Sequence, residues 1–87
     1  MIFNALGNEV RLRILLMLTD TRRPLHIKAV AQNLKKEYSA VYRHVKILER
    51  AQLLRIHEVG RSRVLSLPYP QLIKQFIDAS KEVSGKE

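Results

Sequence analysis

Two apolar-periodic stretches, about Ile27 to Leu34 and about Ser39 to Ala51, are separated only by Lys35-Lys36-Glu37. In the first, Ile27, Val30, Ala31 and Leu34 recur at helical spacing; in the second, Val41, Val45, Leu48 and Ala51 do the same. Ser39 supplies the side-chain oxygen that a helix start favours. Two helices joined by so short a turn cannot run apart. They pack at an angle, the helix-turn-helix layout, and the rest of the chain must cover their apolar faces.

Upstream, Ile2, Phe3 and Leu6 fall on one face of a short opening helix, and Asn8 caps the next. Val10, Ile14, Met17 and Leu18 make its stripe, widened by Leu12, Leu15 and Leu16, until Thr19-Asp20-Thr21 and Pro24 end it. Leu25 has room for a brief strand. Downstream, 54–59 and 63–67 alternate as two strands around a turn at Gly60-Arg61-Ser62. Pro68-Tyr69-Pro70 then opens a last helix to about residue 83, with Leu72, Ile73, Phe76, Ile77, Ser80 and Val83 in its stripe. The order is mostly α with a small β-hairpin, α-α-α-α-β-β-α. That is a winged helix-turn-helix: a single domain over residues 1–87, recognition helix about 39–51, wing about 54–67 and terminal helix about 70–83.

Charge says what such a fold would meet. Sixteen Lys and Arg against eight Asp and Glu give a formal net charge of +8, a field that attracts polyanions. Ribosomal and membrane-surface proteins are also basic, so placement matters more than the total. Lys35, Lys36, Arg43, Lys46, Arg50, Arg55, Arg61 and Arg63 face only Glu37, Glu49 and Glu58 in the segment from the turn through the wing. The excess therefore sits where a winged helix meets double-stranded DNA.

On the recognition helix the apolar positions turn inward, so Ser39, Tyr42, Arg43, Lys46 and Arg50 share the outward arc. Ser39, Tyr42 and Arg43, near its start, are the candidates for base edges; Lys46 is the candidate for phosphate, and Ala40 for a thymine methyl. A solvated charged face is the plain alternative for Arg43, Lys46 and Arg50. Arg61 and Arg63 flank the wing turn and suit a narrow minor groove, or else merely solubilise the hairpin tip. Lys35 and Lys36, with the amides that open the recognition helix, would hold backbone phosphate. His44 is expected to hydrogen-bond at the DNA face or support its helix, and His57 to lie beside the wing within reach of phosphate.

Other classes find little support. There is no cysteine, hence no disulfide or thiolate site. His26, His44 and His57 lack ligand-like spacing, so neither metal nor cofactor is expected. Gly-rich phosphate loops, paired carboxylates and nucleophile motifs are missing, and the protein is read as a non-enzyme. Ile14 to Leu18, the longest apolar run, is far too short to span a bilayer. With no signal-like start, the expected location is the cytoplasm and no membrane partner is expected. A chain of 87 residues leaves no room for a separate sensor domain.

The last stripe is wider than one small domain needs. A homodimer through the terminal helices, using Ile2, Phe3, Leu6, Leu72, Ile73, Phe76, Ile77 and Val83, would hold two recognition helices about 34 Å apart, one turn of DNA.

Leu6-Gly7-Asn8-Glu9-Val10-Arg11-Leu12-Arg13-Ile14-Leu15 resembles the opening block of ArsR-like winged-helix repressors, and Ser39 to Leu54 resembles their recognition segment. The resemblance spans nearly the whole chain. It implies a homodimeric, repressor-like regulator joined through its first and last helices. Three departures stand out. Tyr42 occupies a position usually held by serine, which bears on base preference. Gln52 replaces a glycine, which calls for a left-handed or altered helix end at a residue with a side chain. Without Cys, and without His on the last helix, the metal-sensing property of such proteins does not carry over. Two other readings stay open: an architectural or coating DNA-binding protein with little specificity, and a winged helix used as a protein-interaction module. RNA binding would lack an aromatic stacking platform.

Overall fold

The computed structural model describes residues 5–21 and 23–85, with side chains as far as residue 79. Ala5 and Leu6 are helical; Ile2 and Phe3, from the expected opening helix, lie outside the described residues. Asn8 then caps α1 (Glu9–Thr19), its Oδ1 accepting from the amides of Val10 and Arg11 at 2.9 and 3.2 Å. Two of the amides that a helix start leaves unpaired are thereby satisfied. The helix buries Ile14, Leu15 and Leu18. The fourth residue on that face is Arg11, only 9% exposed.

A two-residue strand, β1 (Leu25–His26), leads into α2 (Ile27–Leu34) and then α3 (Tyr38–Arg50). Ile27, Val30 and Ala31 meet Val41, Val45 and Leu48 in the core. The turn between them is built by backbone geometry. Lys35 takes a left-handed conformation, φ 55°, while its amide donates to the Gln32 carbonyl and that of Lys36 to Ala31. This paired 6→1 and 5→2 closure is a Schellman motif, here without glycine. It uses up Lys35 and Lys36, so Glu37 is the extended residue from which α3 starts. Ser39 consequently lies inside the first turn, and the expectation that it caps the helix is corrected; no side chain makes that cap.

The same closure ends α3. Gln52 sits at φ 62°, its amide donates to Glu49 and that of Leu53 to Leu48. Ala51, Leu53 and Leu54 are buried around it. Next come β2 (Arg55–Val59), β3 (Ser62–Ser66) and α4 (Pro70–Gly85). Gly60 at φ 61° and Arg61 make a two-residue turn between the paired Val59 and Ser62. Positive φ at the first turn residue alone fits a type II′ hairpin, where glycine takes a left-handed φ that a residue with a side chain adopts only under strain, although the space around it is open.

The wing is more than a hairpin. Strand order is β1-β3-β2, antiparallel throughout. Leu65, at the middle of this sheet, pairs with Leu25 on one side and Ile56 on the other and is fully buried. Burial of each such side chain contributes about 1.5–3 kcal/mol, so the sheet is fastened to the core at its centre. On α4, Ile73 closes that core at 2% exposed, with Phe76 and Ile77 packed partly against it.

Candidate nucleic-acid interface

The amphipathic pattern of α3 leaves Ser39, Arg43 and Arg50 exposed, with Ala40, Tyr42, His44 and Lys46 half-buried at the margins. Lys35 and Lys36 are exposed at the turn before it, and Arg61 is exposed at the wing tip. Lys46 pairs with Glu49 one turn on, Nζ to Oε1 at 2.7 Å. That carboxylate, first as hydrogen-bond acceptor and then as charge, raises the lysine's pKa. Glu49 is thus the partner of Lys46, and a phosphate would compete with it.

Wing and helix meet through aromatic rings. The Arg63 guanidinium carbon lies 4.6 Å from the centroid of Tyr42, within cation–π range. The same guanidinium donates to the Tyr38 hydroxyl at 3.3 Å and stands 4.0 Å from a Glu58 oxygen. The Tyr38 hydrogen bond is the main reason its pKa is raised. Tyr38 and Tyr42, one helical turn apart, stack at 6.4 Å and 10°. Tyr38 was not among the residues anticipated from sequence; its mark was the i, i+4 spacing from Tyr42.

Below the wing tip a cleft of about 210 Å³ is lined by His26, Lys28, Tyr38, Arg61, Ser62 and Arg63. Of these, sequence reasoning named only the two arginines for binding. Lys28 joins them because β1 pairs with β3, which brings the start of α2 beside the wing. On the opposite side, His57 Nε2 and Ser66 Oγ are 2.7 Å apart across the paired strands.

His44 turns from the charged face toward α1. Arg11 donates to its Nδ1 at 3.3 Å, so the ring proton sits on Nε2. Arg11 Nε also donates to the Ala5 carbonyl. Burial first, then the charges of Arg11, Arg43 and Lys36, lower the His44 pKa. The placement of Arg11 had a signature in sequence, since residues 11, 14, 15 and 18 share one helical face.

The anticipated dimer residues divide. Leu6 and Ile73 are spent in the protomer's own core, at 7% and 2% exposed. Phe76 and Ile77 are half-buried, and Leu72 is 56% exposed with Tyr69 beside it at 54%. Ile2, Phe3 and the Val83 side chain lie outside the described residues. Among the described residues, no three His, Cys, Asp or Glu side chains gather as a metal site. No helix among them is long and apolar enough to cross a membrane.

The HVO_A0114 family model matches residues 8–72. HlyU from Vibrio cholerae N16961 superposes with a TM-score of 0.75 at 26% identity, covering 86% of this chain and 83% of that one. A transcriptional regulator homologue from Pyrococcus horikoshii OT3 gives 0.81 at 27% identity, covering 95% and 87%. The homodimeric winged helix-turn-helix DNA-binding domain of Mb0332 from Mycobacterium bovis gives 0.82 at 17% identity, covering 97% and 79%, a likeness of fold alone. No curated protein matches. The neighbours are winged-helix transcriptional regulators of the ArsR and HlyU kind, and this chain has their ArsR-like fold.

Proposed function

The chain belongs to the HVO_A0114 family, and from that premise we propose that it is a transcriptional regulator that binds double-stranded DNA sequence-specifically. It acts as a homodimer, with α3 in the major groove and the wing on the adjoining minor groove. Repression is the mode assigned, because occupying a promoter needs nothing beyond the DNA-binding face.

The observation that carries this reading is the joined basic surface. Arg43 and Arg50 on α3 are exposed, Lys35 and Lys36 precede them, and Arg63 holds the wing bearing Arg61 against the same helix. Ser39 and Arg43 take the base edges, with Ala40 and Tyr42 beside them. Lys35, Lys36, Lys46, Arg50 and Arg61 take backbone. HlyU and the Pyrococcus protein support a regulatory role. The homodimeric state of the Mycobacterium domain supports the dimer, as do the exposed Leu72 and Tyr69.

Selection of bound fragments from a random duplex pool, at near-physiological salt, tests it. A two-fold-symmetric motif with half-sites about one helical turn apart is expected, and Arg43→Ala should cost about 1–3 kcal/mol while relaxing one position. Tight binding without enrichment would favour a coating protein; no binding would favour a protein-interaction module. An Arg43→Ala variant that bound the selected site unchanged would remove α3 from the reading.

A further inference from the structure

We propose that Arg63 is a positioning residue that fixes Tyr42, and through it the base preference of α3, and is not itself a ligand for DNA phosphate. The inference rests on the DNA-binding reading above and assigns a different task to one of its arginines.

Arg63 and Arg61 differ in surroundings more than in sequence. Arg61 is exposed at the turn. Arg63 stands over the Tyr42 ring at 4.6 Å, donates to Tyr38 at 3.3 Å and approaches Glu58 at 4.0 Å. Swinging away from this position to follow a phosphate would give up all three contacts, which bias the guanidinium toward the tyrosine pair. The stacked pair of Tyr38 and Tyr42 gives the guanidinium a flat partner and a hydroxyl acceptor together. An ammonium cannot match that arrangement, because it has no planar face.

The consequence falls on Tyr42, which shares the outward arc of α3 with Ser39 and Arg43. A ring that packs partly against the core, stacks on Tyr38 and is covered by Arg63 has few rotamers left, so its free edge meets a base with little ordering cost. Released from Arg63 it would sample more orientations, fit several base pairs about equally and discriminate less. The loss appears in specificity rather than in general attraction to DNA.

A double-mutant cycle reads this directly. The ratio of affinities for the selected duplex and a scrambled one is measured for wild type, Arg63→Ala, Tyr42→Ser and the double variant. Arg63→Ala should lower the ratio roughly two- to fivefold, the size of an exposed cation–π contact. In the Tyr42→Ser background it should lower it no further, and Arg63→Lys should fail to restore it. Tyr38→Phe, which removes only an exposed hydroxyl, should lower the ratio in the same direction. It keeps the test open if Tyr42→Ser does not fold. Equal losses on both duplexes, unchanged by Tyr42→Ser and restored by Arg63→Lys, would make Arg63 a phosphate ligand and overturn the proposal. So would an unchanged ratio in Tyr38→Phe. A wild-type protein with no preference between the duplexes would instead sink the DNA-reading function on which the proposal rests.

Discussion

His44 can accept the hydrogen bond from Arg11 only while its Nδ1 is unprotonated. Protonation would break that bond and set a fourth cation beside Arg11, Arg43 and Lys36, in a half-buried place; burial and these charges hold its pKa below the ordinary value. The unfolded chain, with histidine near about 6.5, then binds the proton more readily than the folded one, so stability rises with pH across the interval between the two values. Tm should therefore hold above about pH 7 and fall as pH drops through the unfolded value towards the lower folded one. His44→Gln should show a flatter profile between about pH 7.5 and 5.5, read by thermal unfolding; an equal slope in both proteins would dismiss His44 as the cause. Sequence placed His44 on or behind the DNA face but gave no partner, because Arg11 lies 33 positions away. Arg11 itself looked like one surface charge among many. Only its register with Ile14, Leu15 and Leu18 marked it as buried.

At the scale of elements, the helix ends differ from the usual glycine-capped form. Both helices of the helix-turn-helix close through a left-handed residue with a side chain, Lys35 and Gln52. The strain differs from an ordinary turn, since a Cβ in this region costs about 1–2 kcal/mol. Replacing Gln52 by glycine should therefore raise unfolding stability by up to about 1 kcal/mol, the gain being trimmed by the freer unfolded chain. Urea unfolding would read it, and a loss of stability would mean the Gln52 side chain contributes where none is seen. The altered end at Gln52 was legible from the missing glycine. That at Lys35 was not, because the lysine carries no turn signal. The misplaced cap at Ser39 follows from it: a serine before an apolar stripe resembles a helix start, but the α2 closure brings the chain into α3 earlier. The hairpin emerged from alternation to within a residue, and a brief strand at Leu25 was allowed for without a pattern to fix it. The pairing of β1 with β3 did not, since two residues hold too little pattern to name a neighbour.

At the scale of the whole molecule, α4 is where the proposed dimer would form. Ile73 faces its own core while Leu72 stands out at 56% exposed, so one helix serves two surfaces. Leu72→Asp should leave the protomer folded, by far-UV circular dichroism, and shift the proposed dimer to monomer in sedimentation; an undisturbed dimer would move the interface elsewhere. Periodicity found this helix and its breadth, yet could not divide its stripe, because adjacent apolar residues look alike until a core claims one of them. The central strand of the sheet has a mechanical consequence as well. Because β3 is bonded both to the strand that begins α2 and to the outer strand of the wing, and Arg63 on it leans on α3, tilting the wing away from the helix would have to break strand pairing or that contact. On bound DNA the protein would behave as a caliper with a fixed jaw, gauging the offset between neighbouring grooves. Bending or narrowing of the duplex outside the contacted bases would then register as a change in affinity.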